Sequence, residues 1–142
     1  MTKIVRVGLA GYCPPSKFDE DEAGHMITDA FNYIESQFPD HFVYLVSGWT
    51  NVGIPALGYA EATKRGWSTV GVASNKAFDF ELFPVNHAYA VGKNWGDESE
   101  RFLSEIECMI RIGGGEQSMR ETAIVRERGQ LTLEYNLPQQ TT

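Results

Sequence analysis

Apolar positions along this chain come in two alternating kinds of stretch. Short, nearly continuous runs stand at 4–10 (IVRVGLA), 42–46 (FVYLV), 69–73 (TVGVA), 108–112 (CMIRI) and 131–135 (LTLEY). Runs of this length, rich in β-branched residues and bounded by glycine, proline or polar residues, predict strands, and the more continuous ones suit strands covered on both faces. Between them the period changes to that of a helix. Over 19–38, Met26, Ile27, Ala30, Tyr33, Ile34 and Phe38 recur on one face behind four acidic residues at 19–22, where the helix dipole favours anions; Pro39-Asp40 ends the segment. Further helices are predicted at about 55–65, stopping at Gly66, at 98–106, and at 116–128, closing at Gly129 as a C-cap. The stretch 74–96 is aromatic and irregular and reads as a loop over the sheet, with a short strand near 87–91.

Strand, helix and strand follow one another closely from 42 to 73, which describes a βαβ unit with parallel pairing and a right-handed crossover. The same alternation over the whole length predicts an α/β fold: a Rossmann-like open, mostly parallel sheet with helices on both faces. With 142 residues the chain has the size of one domain. The expected domain spans 1–137, and 138–142 is a polar tail expected to fray.

Charge narrows the partners. The formal charge of −7 repels polyanions, and no cluster of Lys or Arg reverses it locally, so general nucleic-acid binding and adhesion to anionic membranes are excluded as expectations. No run approaches the roughly 20 apolar residues needed to cross a bilayer. The start of the chain lacks a signal-peptide pattern, and the expected location is the cytoplasm. The two cysteines, Cys13 and Cys108, and the three histidines, His25, His41 and His87, have neither zinc-ligand nor triad spacing, so no metal site is expected. A single small anion is still compatible with this charge, because a nest of backbone N–H groups can outweigh distant carboxylates.

Turns able to form such a nest follow three of the predicted strands: Gly11-Tyr12, the segment Gly48, Trp49, Thr50, Asn51 to Gly53, and Gly113-Gly114-Gly115 with Glu116, Gln117 and Ser118 behind it. In an open parallel sheet these turns share one edge, where ligands bind, and each precedes a helix whose first amides are unpaired and attract phosphate. A triple glycine predicts close approach of the backbone to another group. The segment is neither a P-loop nor a dinucleotide fingerprint. Trp49 can stack on a ring or pack on the core, and Thr50 and Asn51 can contact a ligand or cap the following helix. Tyr12, Lys17, Trp95 and the aromatic cluster at 78–83 are candidates for a lid or for a subunit contact.

Two segments carry a family resemblance. Residues 46–56 (VSGWTNVGIPA) resemble the strand, glycine-rich turn and helix start of the lysine-decarboxylase-like or Lonely Guy (LOG) proteins of the SLOG Rossmann-like superfamily. Residues 112–121 (IGGGEQSMRE) resemble that group's GGxGTxxE motif, with Gly114, Gly115, Ser118 and Glu121 at matching places and Gln117 where the pattern has glycine. The phosphoribohydrolase signature MxxRK has no counterpart; the corresponding region reads DESERF at 97–102. The resemblance implies a nucleotide or nucleotide-derived phosphorylated ligand, with Ser118 replacing the phosphate-holding threonine. It further implies Glu121 and the upstream Arg101 as catalytic residues, if the protein hydrolyses the N-glycosidic bond of a nucleoside 5′-monophosphate. A carrier of a pterin or molybdenum cofactor is another function that the resemblance implies. It also implies a homo-oligomer. The matches favour binding over turnover, because Gln117 and the missing signature bear on the chemistry more than on the fold.

Overall fold

The computed structural model describes residues 3–140; residues 1–2 and 141–142, including the last two of the expected tail, lie outside the described residues. Eleven elements follow in order: β1 (Lys3–Gly11), α1 (Glu20–Gln37), β2 (His41–Ser47), α2 (Gly53–Lys64), β3 (Ser68–Ala73), a 3-10 turn (Asn75–Asp79), β4 (His87–Ala90), α3 (Ser99–Glu105), β5 (Cys108–Ile112), α4 (Glu116–Glu127) and β6 (Thr132–Tyr135). The six strands form one sheet in the order β4-β3-β2-β1-β5-β6, parallel throughout. This is the expected Rossmann-like α/β sheet. The strand order reverses direction between β1 and β5, and the crevice beyond their carboxyl ends is where such sheets take ligands.

Period-two alternation sends each strand's apolar residues to both faces. Val5, Val7 and Leu9 of β1, with Cys108, Ile110 and Ile112 of β5, pack under α1 and α2 against Ile27, Phe31, Ile34, Ile54 and Tyr59. Met109, Val46, Val70 and Val72 point the other way and meet Phe102, Leu103 and Val125 of α3 and α4. Gly8 lies on that second face because a β-carbon there would come within 2.8 Å of Ile106 and 2.9 Å of Phe102.

The helix starts are unequal. Asp19 caps α1 by accepting from the backbone N–H groups of Asp21 and Glu22. Val52 and Gly115 begin α2 and α4 with no side-chain cap. The short strand expected near 87–91 is β4, at the edge of the sheet, and the irregular stretch before it also contains the 3-10 turn. One expectation needs correction. The segment after β6 is tied down rather than frayed over its described part: Leu137 is buried, and the Gln140 N–H donates to the Lys17 carbonyl at 2.7 Å.

Candidate functional site

A cavity of about 420 Å³ opens at the carboxyl edge of the sheet. Its walls come from the turn after β1, the turn after β2, the end of β3, the start of α3 and the start of α4, so all three glycine turns singled out in the sequence contribute to it. Gly11, Tyr12, Gly48, Thr50, Gly115, Glu116, Gln117, Ser118 and Glu121 line it. Phe80 and Trp95, both exposed and with ring centroids 6.0 Å apart, stand at its mouth.

The triple glycine separates into three roles. Gly113 (φ 61°) leaves room for the Tyr12 ring, whose Cδ2 would stand 2.8 Å from an added β-carbon, and Gly114 (φ 101°) leaves room for the Ser118 side chain at 2.7 Å. Both are in the left-handed region that disfavours side chains. The close approach expected of these two glycines is therefore to the protein itself, and neither lines the cavity. Gly115 does line it, and a β-carbon there would meet nothing within 4 Å.

Other expected contacts fall outside. Trp49 does not line the cavity: with φ 73° its side chain packs over Gly71 of β3 and edge-on to Phe78 at 5.4 Å between centroids, while its backbone N–H donates to the buried Tyr59 hydroxyl at 3.0 Å. Tyr59 in turn donates to the Val70 carbonyl at 2.9 Å, which fixes the turn after β2. Asn51 is held by Glu81, through both its backbone N–H and its amide, and neither Thr50 nor Asn51 caps α2. Gly53 (φ 66°) supports the turn from behind, because a β-carbon there would lie 2.5 Å from the Tyr12 carbonyl oxygen. Arg101 is also outside: its guanidinium lies 4.0 Å over the Tyr89 ring and its Nε donates to Glu105 at 2.8 Å. On a short helix that turns Phe102 and Leu103 into the core, position 101 faces away from the cavity.

Glu121 is buried, and its Oε2 accepts from the Ser99 hydroxyl at 2.6 Å and from the Gln117 amide at 3.3 Å. Gln117 thus fills the place of the family's glycine with a side chain that orients Glu121. Burial raises the Glu121 carboxyl above the ordinary carboxylate range; the Ser99 and Gln117 donors pull it down, the nearby negative Glu98 pushes it up, and Arg120 pulls it down. Glu98, which the sequence reading passed over, lines the same wall and is equally buried. It lies one helical turn before Phe102, and that i, i+4 relation to a core residue is the signal that marks it. Cys13 is exposed and stands beside Thr50 at the cavity edge.

The raised Glu121 carboxyl has a measurable consequence. The native state keeps this proton to higher pH than the unfolded chain does. Stability is therefore lost as pH rises from the ordinary glutamate value through the folded value, and the deficit is complete above it. Glu121→Gln removes the deficit, so urea denaturation between about pH 4 and 8 is expected to show a smaller fall, or a larger gain, in stability for the variant than for the parent. Identical profiles would refute the assignment.

No family model matches the sequence, and no curated protein matches it. Solved structures do. The molybdenum cofactor binding protein of the phototrophic bacterium Rippkaea orientalis superposes with a TM-score of 0.71 at 16% identity, over 96% of this chain and 77% of that one. The Moco carrier protein of Chlamydomonas reinhardtii gives 0.70 at 17%, over 95% and 76%. The structure designated TM1055 gives 0.69 at 17%, over 90% and 72%. At these identities the likeness is one of fold, and it agrees with the Rossmann-like α/β architecture expected from the sequence.

Proposed function

We propose that the protein binds a phosphorylated, ring-bearing small molecule, a nucleotide or a nucleotide-derived cofactor, in the cavity at the carboxyl edge of the sheet. The observation that carries this reading is the start of α4, without a side-chain cap, opening onto a cavity beside the point where strand order reverses. The first amides of α4 and its dipole favour an anion there, whereas at the start of α2 the Ile54 N–H is taken by the Tyr12 carbonyl and Pro55 has none, so α2 adds only its dipole. Ser118, on the first turn of α4, adds a hydroxyl at the same place. The aromatic mouth formed by Phe80 and Trp95 suits a planar ring. The volume is within the range of small-molecule pockets. No Lys, Arg or His lines the cavity among the described residues, so phosphate is held by backbone amides and the Ser118 hydroxyl without a cationic side chain.

Thermal denaturation with a panel of nucleoside monophosphates, ribose 5-phosphate and inorganic phosphate tests the reading. A bound ligand at about a hundred times its Kd adds about 2.7 kcal/mol and raises the midpoint by about 8 °C. No shift with any phosphorylated compound would overturn it.

The buried Glu121, with its raised carboxyl, favours hydrolysis as a second reading, because a carboxyl tuned toward neutral pH is suited to general acid-base work. The location of Arg101 outside the cavity removes the cationic partner expected for that chemistry. Chromatography of free base and ribose 5-phosphate after incubation with the same panel separates the two. Release by the parent that Glu121→Gln abolishes makes the protein a hydrolase; binding without release makes it a binder or carrier, in line with the molybdenum cofactor binding and carrier proteins that share its fold.

A further inference from the structure

The buried wall of the cavity carries acceptor atoms that nothing among the described residues satisfies. Glu98 is 5% exposed; its Oε1 accepts from the Gly96 N–H at 2.6 Å, and its Oε2 has no donor among the described residues. Glu121, also 5% exposed, engages Oε2 with Ser99 and Gln117 and leaves Oε1 without a donor. Neither free oxygen is sealed inside the protein. The fully enclosed unpartnered side-chain atoms among the described residues are His41 Nδ1 and Gln130 Oε1, whereas both glutamates line the cavity.

A nearly buried acceptor without a donor is costly, by roughly 1–3 kcal/mol, unless something entering the cavity supplies one. A second anionic group cannot do so. With two carboxylates on this wall and no cationic side chain around the cavity, it would be repelled at close range. The neighbouring part of the cavity has the opposite character, since the first residues of α4, Glu116 to Ser118, present amides there. Glu121 lies one turn further along the same helix from Gln117, so donors and acceptors succeed one another along one wall.

We infer that Glu98 and Glu121 together select a ligand that is negative at one end only, and that they receive an uncharged hydrogen-bond-donating group at its other end. This rests on the anion reading of the α4 start proposed above. Two parts of a nucleotide-like ligand carry such donors, the N–H and amino groups of a ring and the hydroxyls of a sugar, and both share the chemistry required.

The test is calorimetric titration of the parent and of Glu98→Gln with GMP, IMP, 2′-deoxyguanosine monophosphate, ribose 5-phosphate and inorganic phosphate. Glu98→Gln can keep an acceptor for the Gly96 N–H while turning the cavity-facing oxygen into a donor. The expected result is that at least one organic phosphate binds the parent more tightly than inorganic phosphate does. Glu98→Gln should weaken that compound about tenfold or more and leave inorganic phosphate unchanged. Loss of affinity on going from GMP to IMP assigns the donor to the ring amino group, and loss on going to the deoxy compound assigns it to the sugar. Glu121→Gln repeats the measurement should Glu98→Gln fail to fold. Equal affinities in parent and variant, or organic phosphates no tighter than inorganic phosphate, overturn the inference while the anion site stands. Failure of every compound to bind the parent overturns both.

Discussion

Gly53→Ala is expected to lower the unfolding free energy by about 3 kcal/mol and the thermal midpoint by about 10 °C. Two costs act together. The residue has φ 66°, where a side chain is strained, and the new methyl group would lie 2.5 Å from the Tyr12 carbonyl oxygen and 2.9 Å from Cys13 Cα. Both neighbours are backbone, so no side-chain rotation relieves the overlap. The carbonyl concerned already accepts from the Ile54 N–H at 2.9 Å, and this bond joins the turn after β1 to the first turn of α2. The same substitution should therefore separate two cavity walls and weaken phosphate binding beyond the loss of stability. Gly24→Ala is the control: it lies within α1 where a β-carbon meets nothing within 4 Å, and alanine there is expected to be neutral or stabilising. Thermal melts of the two variants, with and without phosphate, check both statements; a Gly53→Ala midpoint within 2 °C of the parent's, on the order of 0.5 kcal/mol, would refute the first.

Arg111→Met is expected to cost about 3 kcal/mol by urea denaturation and to loosen the Gly113 turn. Arg111 is buried on β5, yet it carries a charge that three acceptors share. Its Nη1 donates to the Gly113 carbonyl at 2.8 Å, its Nη2 to Asn136 Oδ1 at 3.0 Å, and Glu134 lies 3.4 Å from Nε. Methionine fills similar space but leaves the Gly113 carbonyl without its donor. Amide exchange at Gly113, whose N–H donates to the Tyr135 carbonyl at 2.9 Å, should quicken by about tenfold or more in the variant. Arg111→Lys, which keeps the charge but loses the forked geometry, should recover only part of the stability. Full recovery would mean that charge alone matters here.

The fold was legible because its strands are apolar on both faces. Val5, Val7 and Leu9 serve one face of the sheet while Gly8 admits Phe102 and Ile106 to the other, and such runs stand out from the helical period of 19–38. The cavity was legible in outline, since glycine turns after parallel strands must gather at one edge. The direction of individual side chains was not. Trp49 reads as a ligand-facing aromatic until its positive φ turns it onto Gly71. Glu98 is hidden in an acidic run, 97–100, that looks like a solvated helix start, and Arg101 in the next turn looks like the site's cation. Three consecutive residues of a helix face three directions, and without the position of its axis the sequence leaves open which one reaches the cavity. Arg111 is an arginine in a strand whose other four residues are apolar, and its role depends on Glu134 and Asn136, more than 20 residues away.

The Tyr12 hydroxyl donates to the Leu137 carbonyl at 3.0 Å, across 125 residues of chain, and the Gln140 N–H reaches back to Lys17. Residues 11–17 thus form a cavity wall that an early part of the sequence supplies and a late part holds in place. β1 stands in the same position, since one of its two neighbours, β5, begins at Cys108. During synthesis β1 can pair with β2 as soon as both have emerged, but its other edge stays open until residues 108–112 arrive. The turn after β1 is joined early to α2 through the Ile54 N–H, but its second tie, from the Tyr12 hydroxyl, waits until residue 137 is available. Ligand-binding competence should therefore appear late and abruptly in a series of nascent chains of increasing length. Among refolding events it should lag behind the formation of α1, whose contacts within the helix are local and quick to form.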